Sequence, residues 1–314
     1  MLPNKIEFAS NKEYQSYRSD VSYWWPFINE LFERHLQLSN INPSDIETGF
    51  NSTYPVFLLK EYVIKFYGHQ KSWRTAFETE SLAHLALDAD KGILAPQILA
   101  KGHIFPKQDE SWPYIISSRV PGKSWLDTTL TFSEKNLIAS EIGQQLLKIH
   151  RLKPDNRLQH DHEWGRLDFT VAAEKSILPK HLVRQVDSFI AGLNDFDRCL
   201  VNGDLVGMHV FIHEGHLSGL IDWGDASVTD RHYELGKLMD TFDWDKRLLK
   251  TVLDASNWPC DKNFSKQALG LSLYRQAVGL TQHSTFDVFY KLPDILPLND
   301  IATLDELADT LFDV

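Results

Sequence analysis

Two aspartates in the second half of the chain follow apolar segments. Asp204 lies in the polar turn of LVNGDLVGMHVFI (residues 200–212), and Asp222 ends the apolar stretch of LSGLIDWGDA (residues 217–226). Both segments have the composition of short β-strands, and the HEGH between them predicts a hairpin that brings the two aspartates to one end. Paired carboxylates can hold a divalent cation, or one can act as a base while the other binds metal.

A lysine lies within an apolar hairpin in the first third of the chain. PVFLLKEYVIKFYG (residues 55–68) contains two short segments rich in Val, Ile, Phe and Tyr, which is typical of antiparallel strands. Because strand side chains alternate, Lys65 shares a face with Val63 and Tyr67. The lysine therefore lies at an exposed edge or points into a cleft, and the exposed edge is the commoner place for a lysine.

The segment SWRTAFETESLAHLALDA (residues 72–89) predicts a helix with two glutamates that could point inward. One face of this helix carries Trp73, Phe77, Glu80 and His84. Glu78 is the competitor, on a face shared with Leu82 and Leu85. A solvated surface position is the alternative for both glutamates.

Composition predicts a globular protein of two lobes or domains, because the chain has 314 residues, 43 % of them hydrophobic and 24 % charged. The net charge of -11 argues against nucleic-acid binding, which depends on Lys and Arg. It favours a cationic partner, although solubility alone explains such a charge in many proteins. Cys199 and Cys260 belong to no metal-binding cluster, and we expect both to be buried thiols.

The beginning of the chain, MLPNKIEFAS, lacks the apolar core of a signal peptide. No stretch approaches the ~20 apolar residues that a membrane span needs. We therefore expect a cytoplasmic protein with no membrane partner.

The element pattern divides the chain into residues 1–120 and 121–314. The first part begins with a predicted helix over YWWPFINELFERHLQL and ends with a predicted strand in WPYIISSRVPG, whose Pro-Gly pair marks a crossing point. The second part is largely helical. Its first helix, FSEKNLIASEIGQQLLKIHRL, has Ser133 as the expected N-cap and Phe132 with Leu137 as the expected hydrophobic staple.

The ordered set Lys65, Glu80, NGDLVGMH and IDWGDA resembles the aminoglycoside phosphotransferase and choline-kinase-like family of small-molecule kinases. The family pattern is His-Gly-Asp, four residues and Asn, with a later Ile-Asp-Phe or Ile-Asp-Trp. The helical N-terminal extension and IDWGDA are similar to the hygromycin-phosphotransferase-like branch. The resemblance implies an α+β, two-lobed protein-kinase-like fold, with a small, mainly antiparallel β N-lobe over residues 1–120 and a larger helical C-lobe over residues 121–314.

The resemblance also implies a role for each matching residue. Lys65 would bind the α- and β-phosphates of ATP or GTP, and Glu80 would orient that lysine. Asp204 would accept the proton of the substrate hydroxyl. Asp222 would bind Mg²⁺ that bridges the phosphates.

Three places depart from the family pattern. The nucleotide-covering loop GFNSTYP has one glycine, so Ser52 and Thr53 are the candidates for phosphate contact. Asn202 replaces a mostly architectural histidine, whose hydrogen bonds an amide partly reproduces. His209 replaces the metal-binding asparagine, and because imidazole suits manganese better than magnesium, Mn²⁺ is the alternative ion. A buried structural role is the alternative for His209, and Asp225 could supply a compensating oxygen.

The resulting hypothesis is a kinase that transfers the γ-phosphoryl group of ATP or GTP to a hydroxyl of a small molecule, aminoglycoside- or aminocyclitol-like or another amine-bearing metabolite. The chain would act as a monomer or homodimer. MDTFDWDKR (residues 239–247) offers acidic and aromatic side chains to a cationic acceptor, with a solvated helix face as the alternative. A second hypothesis is a pseudokinase, a nucleotide- or partner-binding module without turnover. A protein kinase is disfavoured because no Ala-Pro-Glu-like segment follows Asp222.

Overall fold

The chain folds into two compact units. The computed structural model describes residues 5–36, 41–50, 52–105, 112–158, 164–193, 196–281 and 287–314. One unit comprises Met1–His84 and Ala95–Val120, and the other comprises Leu85–Leu94 and Pro121–Val314. Within the described ranges, we find no helix with the length and apolar character that crossing a membrane requires.

The first unit is built on a five-stranded antiparallel sheet in the order β1-β2-β3-β5-β4. The elements of this part of the chain are α1 (Asn11–Tyr17), α2 (Val21–Leu36), β1 (Glu47–Thr48), β2 (Val56–Leu59), β3 (Tyr62–Phe66), α3 (Trp73–Leu87), β4 (Ile98–His103) and β5 (Pro113–Ser118). The predicted hairpin is confirmed, because β2 and β3 pair antiparallel with Val56 opposite Lys65. The predicted first helix is present as α2, with Pro26 in its interior.

Side-chain alternation gives β3 two faces that pack into two separate clusters. Ile64 and Phe66 are fully buried in a large core with the α2 residues Trp24 and Phe27. Tyr67, just after β3, belongs to the smaller cluster on the opposite face. The sheet therefore has one face covered by the N-terminal helices and a second face that is left for α3 and the lysine.

The second unit is mainly helical. Its elements are β6 (Lys123–Ser124), α4 (Phe132–Ile149), α5 (Phe169–Glu174), α6 (Lys180–Val183), α7 (Val186–Ala191), β7 (Arg198–Val201), β8 (Val210–His213), β9 (His216–Leu220), β10 (Ser227–Asp230), α8 (Leu235–Thr241), α9 (Lys246–Ser256), α10 (Phe264–Thr281), α11 (Leu292–Ile295) and α12 (Leu304–Phe312). The strands form small antiparallel sheets, β7 with β10 and β6-β8-β9. The predicted fold class, a small antiparallel β part and a larger helical part, is confirmed.

Three local predictions for this unit are wrong. The N-cap of α4 is Thr131 rather than Ser133, because Thr131 and Glu134 form a reciprocal capping box that satisfies N–H groups of the first turn. Phe132 and Leu137 are 46 % and 43 % exposed, so neither is buried as a staple. Cys199 is buried as expected, but Cys260 is exposed in the segment that follows α9.

Candidate active site

The first group of candidate residues is an ion pair between β3 and α3. Lys65 Nζ lies 2.8 Å from Glu80 Oε2, and the two side chains are only 13 % and 10 % exposed. Because β3 is the central strand of the sheet, the exposed-edge interpretation of the lysine is wrong. A largely buried lysine needs a partner of opposite charge, and the helix supplies it.

Helical spacing determines which glutamate becomes that partner. Trp73 and Phe77 pack against the smaller cluster of the first unit, as the predicted stripe requires. Glu80 lies one turn beyond Phe77 and two turns beyond Trp73 on the same face, and it is buried. Glu78 points away and is exposed. The structure therefore pairs Lys65 with Glu80 and not with Glu78.

Two tyrosines complete the surroundings of this pair. The Tyr67 hydroxyl donates a hydrogen bond to Glu80 Oε2 at 2.5 Å. The ammonium group of Lys65 lies 5.3 Å from the ring centroid of Tyr67 and 5.8 Å from that of Tyr54, within the range of cation–π attraction. The lysine is thus held in one orientation by groups that share its face of the sheet.

Ser52 and Thr53 lie in the connection between β1 and β2. The Ser52 hydroxyl donates to the Tyr54 carbonyl oxygen at 2.5 Å, and the Thr53 carbonyl oxygen accepts from the Tyr14 hydroxyl at 2.7 Å. Asn51, within the same loop motif, lies outside the described residues. These hydrogen bonds give the loop an anchor on α1, while a contact of the two residues with phosphate stays a prediction.

The second group of candidates lies at one end of the β8–β9 hairpin. The predicted hairpin is confirmed, with Val210 opposite Leu220. Its turn residues Glu214 and Gly215 have φ angles of 51° and 81°, and this left-handed pair is the backbone of a tight two-residue hairpin turn. The residue before β8, His209, therefore lies beside the residues that follow β9.

The His209 imidazole lies between the two aspartates. Its Nδ1 is 2.7 Å from the Asp204 carbonyl oxygen and 3.6 Å from Asp204 Oδ2, and its Nε2 is 3.6 Å from Asp222 Oδ2. Because a carbonyl oxygen can only accept, Nδ1 donates this hydrogen bond, which leaves Nε2, on the side of Asp222, as the nitrogen that could bind a metal. The structure thus brings Asp204, His209 and Asp222 together, as their sequence motifs predicted.

Asn202 connects the loops that carry these aspartates. Its side-chain oxygen accepts from the Asp204 N–H at 3.1 Å, and its amide donates to the Asp222 carbonyl oxygen at 3.2 Å. Gly203, between them, has φ of 83°, and a Cβ there would lie 2.1 Å from the Asp225 carbonyl oxygen. The residue must therefore be glycine, and the amide at 202 has the architectural role expected of it.

A buried glutamate, Glu234, forms hydrogen bonds with the backbone of the same loop. One carboxylate oxygen of Glu234 accepts hydrogen bonds from the N–H groups of Asn202 and Gly203. Burial raises the pKa of Glu234 to about 7, although these backbone donors favour the ionised form. Sequence analysis did not single out Glu234. The available signal was its place in DRHYELGKL, the segment that follows the second aspartate motif.

Two cations contact Asp204, and sequence analysis missed both. Arg275 of α10 donates from Nη2 to Asp204 Oδ1 at 2.8 Å and from Nη1 to the Gly203 carbonyl oxygen. Lys237 of α8 has its Nζ 3.4 Å from the same carboxylate oxygen. Burial, with the neighbouring charge of Arg275, lowers the pKa of Lys237. Arg275 lies in a helix 71 residues beyond Asp204, so no local sequence pattern predicts their contact.

Asp222 and His209 are the candidate metal ligands. The described ranges contain no group of three or more His, Cys, Asp or Glu side chains arranged to bind a metal by themselves. Magnesium in phosphoryl-transfer sites is usually held by one or two carboxylates together with substrate phosphates. The Asp222 carboxylate and Nε2 of His209 could supply the few ligands that the protein contributes at such a site, and the nitrogen donor also suits manganese.

The segment MDTFDWDKR uses its acidic and aromatic side chains within the fold. Phe242 and Trp244 are buried. Asp240 and Asp243 both lie 3.1 Å from Lys291 Nζ, and the carboxylate of the third aspartate caps α9. The segment therefore contributes packing, ion pairing and helix capping, and its aromatic side chains are buried whereas Asp243 is 71 % exposed.

The sequence profile of the phosphotransferase enzyme family matches residues 48–263, so the chain belongs to this family. The streptomycin–ATP–APH(2'')-IIa ternary complex is 17 % identical over 82 % of this chain and 93 % of that chain, with a TM-score of 0.59. The structure of macrolide 2'-phosphotransferase MphH from Brachybacterium faecium is 13 % identical over 83 % of this chain and 94 % of that chain, with a TM-score of 0.60. The structure of ADP-bound aminoglycoside phosphotransferase APH(2'')-Ib is 18 % identical over 90 % of this chain and 99 % of that chain, with a TM-score of 0.58. No curated protein matches the chain in sequence.

These findings identify the class of the protein. Its fold is that of the aminoglycoside and macrolide phosphotransferases, and its family is one of phosphotransferase enzymes. The chain is therefore a member of a phosphotransferase enzyme family, as the sequence motifs implied. Its assignment to the hygromycin-phosphotransferase-like branch stays a prediction.

Proposed function

We propose that the protein transfers the γ-phosphoryl group of ATP or GTP to a hydroxyl of a small, amine-bearing acceptor. The observation that carries this proposal is the His209 ring with an aspartate carboxylate 3.6 Å from each of its nitrogens. Phosphoryl transfer needs a base for the hydroxyl and a metal site for the phosphates. Asp204 and Asp222, joined through one imidazole, supply both within a single loop cluster.

Asp204 is the proposed catalytic base. As the acceptor oxygen attacks the γ-phosphorus, its proton passes to the Asp204 carboxylate, and the bond to the leaving ADP or GDP breaks. Asn202 and Gly203 hold the turn in which this carboxylate lies. The loop therefore supplies the fixed geometry that proton transfer requires.

The metal half of the proposal assigns Asp222 Oδ2 and His209 Nε2 to Mg²⁺ or Mn²⁺. When bound, the ion would neutralise charge on the nucleotide phosphates. The Nδ1–H group of His209 donates to the Asp204 carbonyl oxygen, and this hydrogen bond fixes the ring with Nε2 available to a metal.

The nucleotide half of the proposal rests on the first unit. Lys65, held by Glu80, is assigned to the α- and β-phosphates, and Ser52 and Thr53 to the loop that covers them. We propose residues 1–120 as the nucleotide-binding lobe and 121–314 as the catalytic and acceptor-binding lobe. Both ATP and GTP remain candidate phosphoryl donors, because one structure with the same fold contains ATP and another contains GDP.

An amine-bearing acceptor is supported by the net charge of -11, which favours cations. Proteins of the same fold were solved with streptomycin and with kanamycin. A cytoplasmic location and a monomeric or homodimeric state belong to the same proposal.

The test is a screen for ADP and GDP release over aminoglycosides, aminocyclitols, choline-like amines, neutral sugars and sugar acids. Each acceptor is assayed with magnesium and with manganese, and Asp204→Asn serves as the control for contaminating kinases. We expect turnover above the acceptor-free background with at least one hydroxylated cation. Thermal stabilisation by nucleotide without product for any acceptor would contradict the proposal and support the pseudokinase.

A further inference from the structure

The cations around Asp204 are arranged asymmetrically. Arg275 and Lys237 both lie against Oδ1, at 2.8 and 3.4 Å. His209 Nδ1 is 3.6 Å from the other oxygen, Oδ2. One oxygen of the carboxylate is therefore held by two cations from α10 and α8, while the other faces the histidine.

Arg275 holds this carboxylate through two hydrogen bonds to one loop. One guanidinium nitrogen donates to the Gly203 carbonyl oxygen and the other to Asp204 Oδ1. Because the guanidinium is planar and its donors have a fixed spacing, the two bonds together set the direction of the carboxylate relative to its own backbone. Lysine has a single ammonium group and cannot reproduce this fork.

The Arg275 side chain is itself largely buried. Its side chain is 15 % exposed, and its guanidinium lies 5.1 Å from the ring centroid of Tyr233. A charge taken out of water is costly unless it is paired and hydrogen-bonded, and Asp204 provides that pairing. Arg275 also lies beyond residues 48–263, the segment matched by the family profile, so this contact is a feature of the C-terminal part of the chain.

We propose that Arg275 is a positioning residue, which acts on phosphoryl transfer by fixing Oδ1 of Asp204 so that Oδ2 is presented to the acceptor hydroxyl. This inference rests on the proposed function, in which Asp204 is the base. Its alternative is an ion pair that only ties α10 to the loop and stabilises the fold. The two readings differ in whether the effect of Arg275 depends on the carboxylate of Asp204.

The experiment is a double-mutant cycle on turnover, with Arg275→Met and Asp204→Asn made singly and together. Arg231→Met is the matched control, because Arg231 is buried to a similar extent, 17 % exposed, and pairs with Asp197 away from the site. We expect Arg275→Met to lower kcat by about tenfold or more while the nucleotide KM stays within about twofold. In the Asp204→Asn background the same substitution should change kcat by less than about twofold.

Folding is followed by the thermal unfolding midpoint of each variant. If Arg275→Met does not fold, Arg275→Lys replaces it in the cycle, and the same non-additive loss of kcat is expected from it. Equal loss in both Asp204 backgrounds, or equal loss in Arg275→Met and Arg231→Met, would overturn the inference while leaving the proposed function intact. A wild-type enzyme without turnover on any acceptor would overturn the proposed function, and the inference with it.

Discussion

The two groups of candidate residues are built in different ways. Lys65 and Glu80 lie 15 residues apart on a strand and a helix, and each is directed by the period of its own element. Asp204 and Asp222 lie in loops, and His209 ends a single 3₁₀ turn, Gly207–His209. Their arrangement depends on buried polar groups from elsewhere, such as Arg275, 71 residues away. Regular elements therefore place the first pair, whereas long-range hydrogen bonds place the second group.

This difference predicts that loss of the Asp204 carboxylate has a larger effect than loss of the Lys65 ammonium group. A buried polar network loses more than one contact when a member is removed, because the remaining groups are left unpaired. The strand and helix of the first pair keep their apolar packing when one side chain changes. The following substitutions test that contrast, beginning with the largest expected effect.

Asp204→Asn removes the proposed base and keeps the size of the side chain. We expect phosphoryl transfer to fall by ~10² or more, with nucleotide affinity little changed. Asp254→Asn, a substitution of an aspartate that is 66 % exposed on α9, serves as the control and should leave both quantities unchanged. A loss of nucleotide affinity as large as the loss of rate would contradict the role of base.

Glu234→Gln tests the support beneath the loop through the pH dependence of stability. The pKa of Glu234 is about 7 in the folded protein, above its ordinary value of 4.5, so the folded state binds the proton more tightly. Its contribution to stability is fully present below pH 4.5 and is lost as pH rises through 7. Relative to the variant, the wild type should lose about 2 to 3 kcal/mol of unfolding free energy between about pH 5 and 8.

Urea unfolding of both proteins at the two pH values measures this difference. Glu78→Gln, on the exposed face of α3, is the control and should follow the wild type. Parallel pH profiles of the wild type and Glu234→Gln would show that burial does not govern the ionisation of Glu234.

Lys65→Ala tests the first unit. We expect nucleotide affinity to fall by about tenfold, which corresponds to about 1.4 kcal/mol, because the ammonium group no longer meets the phosphates. The fold should remain, since β3 keeps Ile64 and Phe66 in the core. Lys60→Ala, in the exposed turn between β2 and β3, is the matched control in titration calorimetry. An unchanged affinity in Lys65→Ala would contradict its assignment to the phosphates.

His209→Asn is expected to have the smallest effect. The substitution restores the oxygen ligand common in the family, so the ratio of activity in magnesium to activity in manganese should rise several-fold without loss of turnover. His213→Asn, at the exposed end of β8, is the control. The same metal ratio in His209→Asn and wild type would mean that His209 only supports the Asp204 loop.

Periodicity accounts for what the sequence could predict. The alternation in β3 and the helical stripe of α3 left an exposed position open for both Lys65 and Glu80, and the family resemblance selected them as a pair. The hairpin brought His209 beside Asp222. Arg275 lies in an unremarkable helical segment, so its contact with Asp204 arises only from tertiary packing. The wrong N-cap has a different cause, because the Thr131 and Glu134 capping box is a local sequence signal that the choice of Ser133, two positions away, overlooked.

In the proposed mechanism, nucleotide binding and proton removal are carried by different residues. Single-turnover transfer from γ-³²P-labelled nucleotide, measured over a range of enzyme concentrations with the best acceptor, separates the two for Lys65→Ala and Asp204→Asn. We expect saturation to restore part of the lost rate in Lys65→Ala and none in Asp204→Asn, whose dissociation constant should match that of the wild type. Recovery of the wild-type rate by Asp204→Asn at saturation would contradict this mechanism.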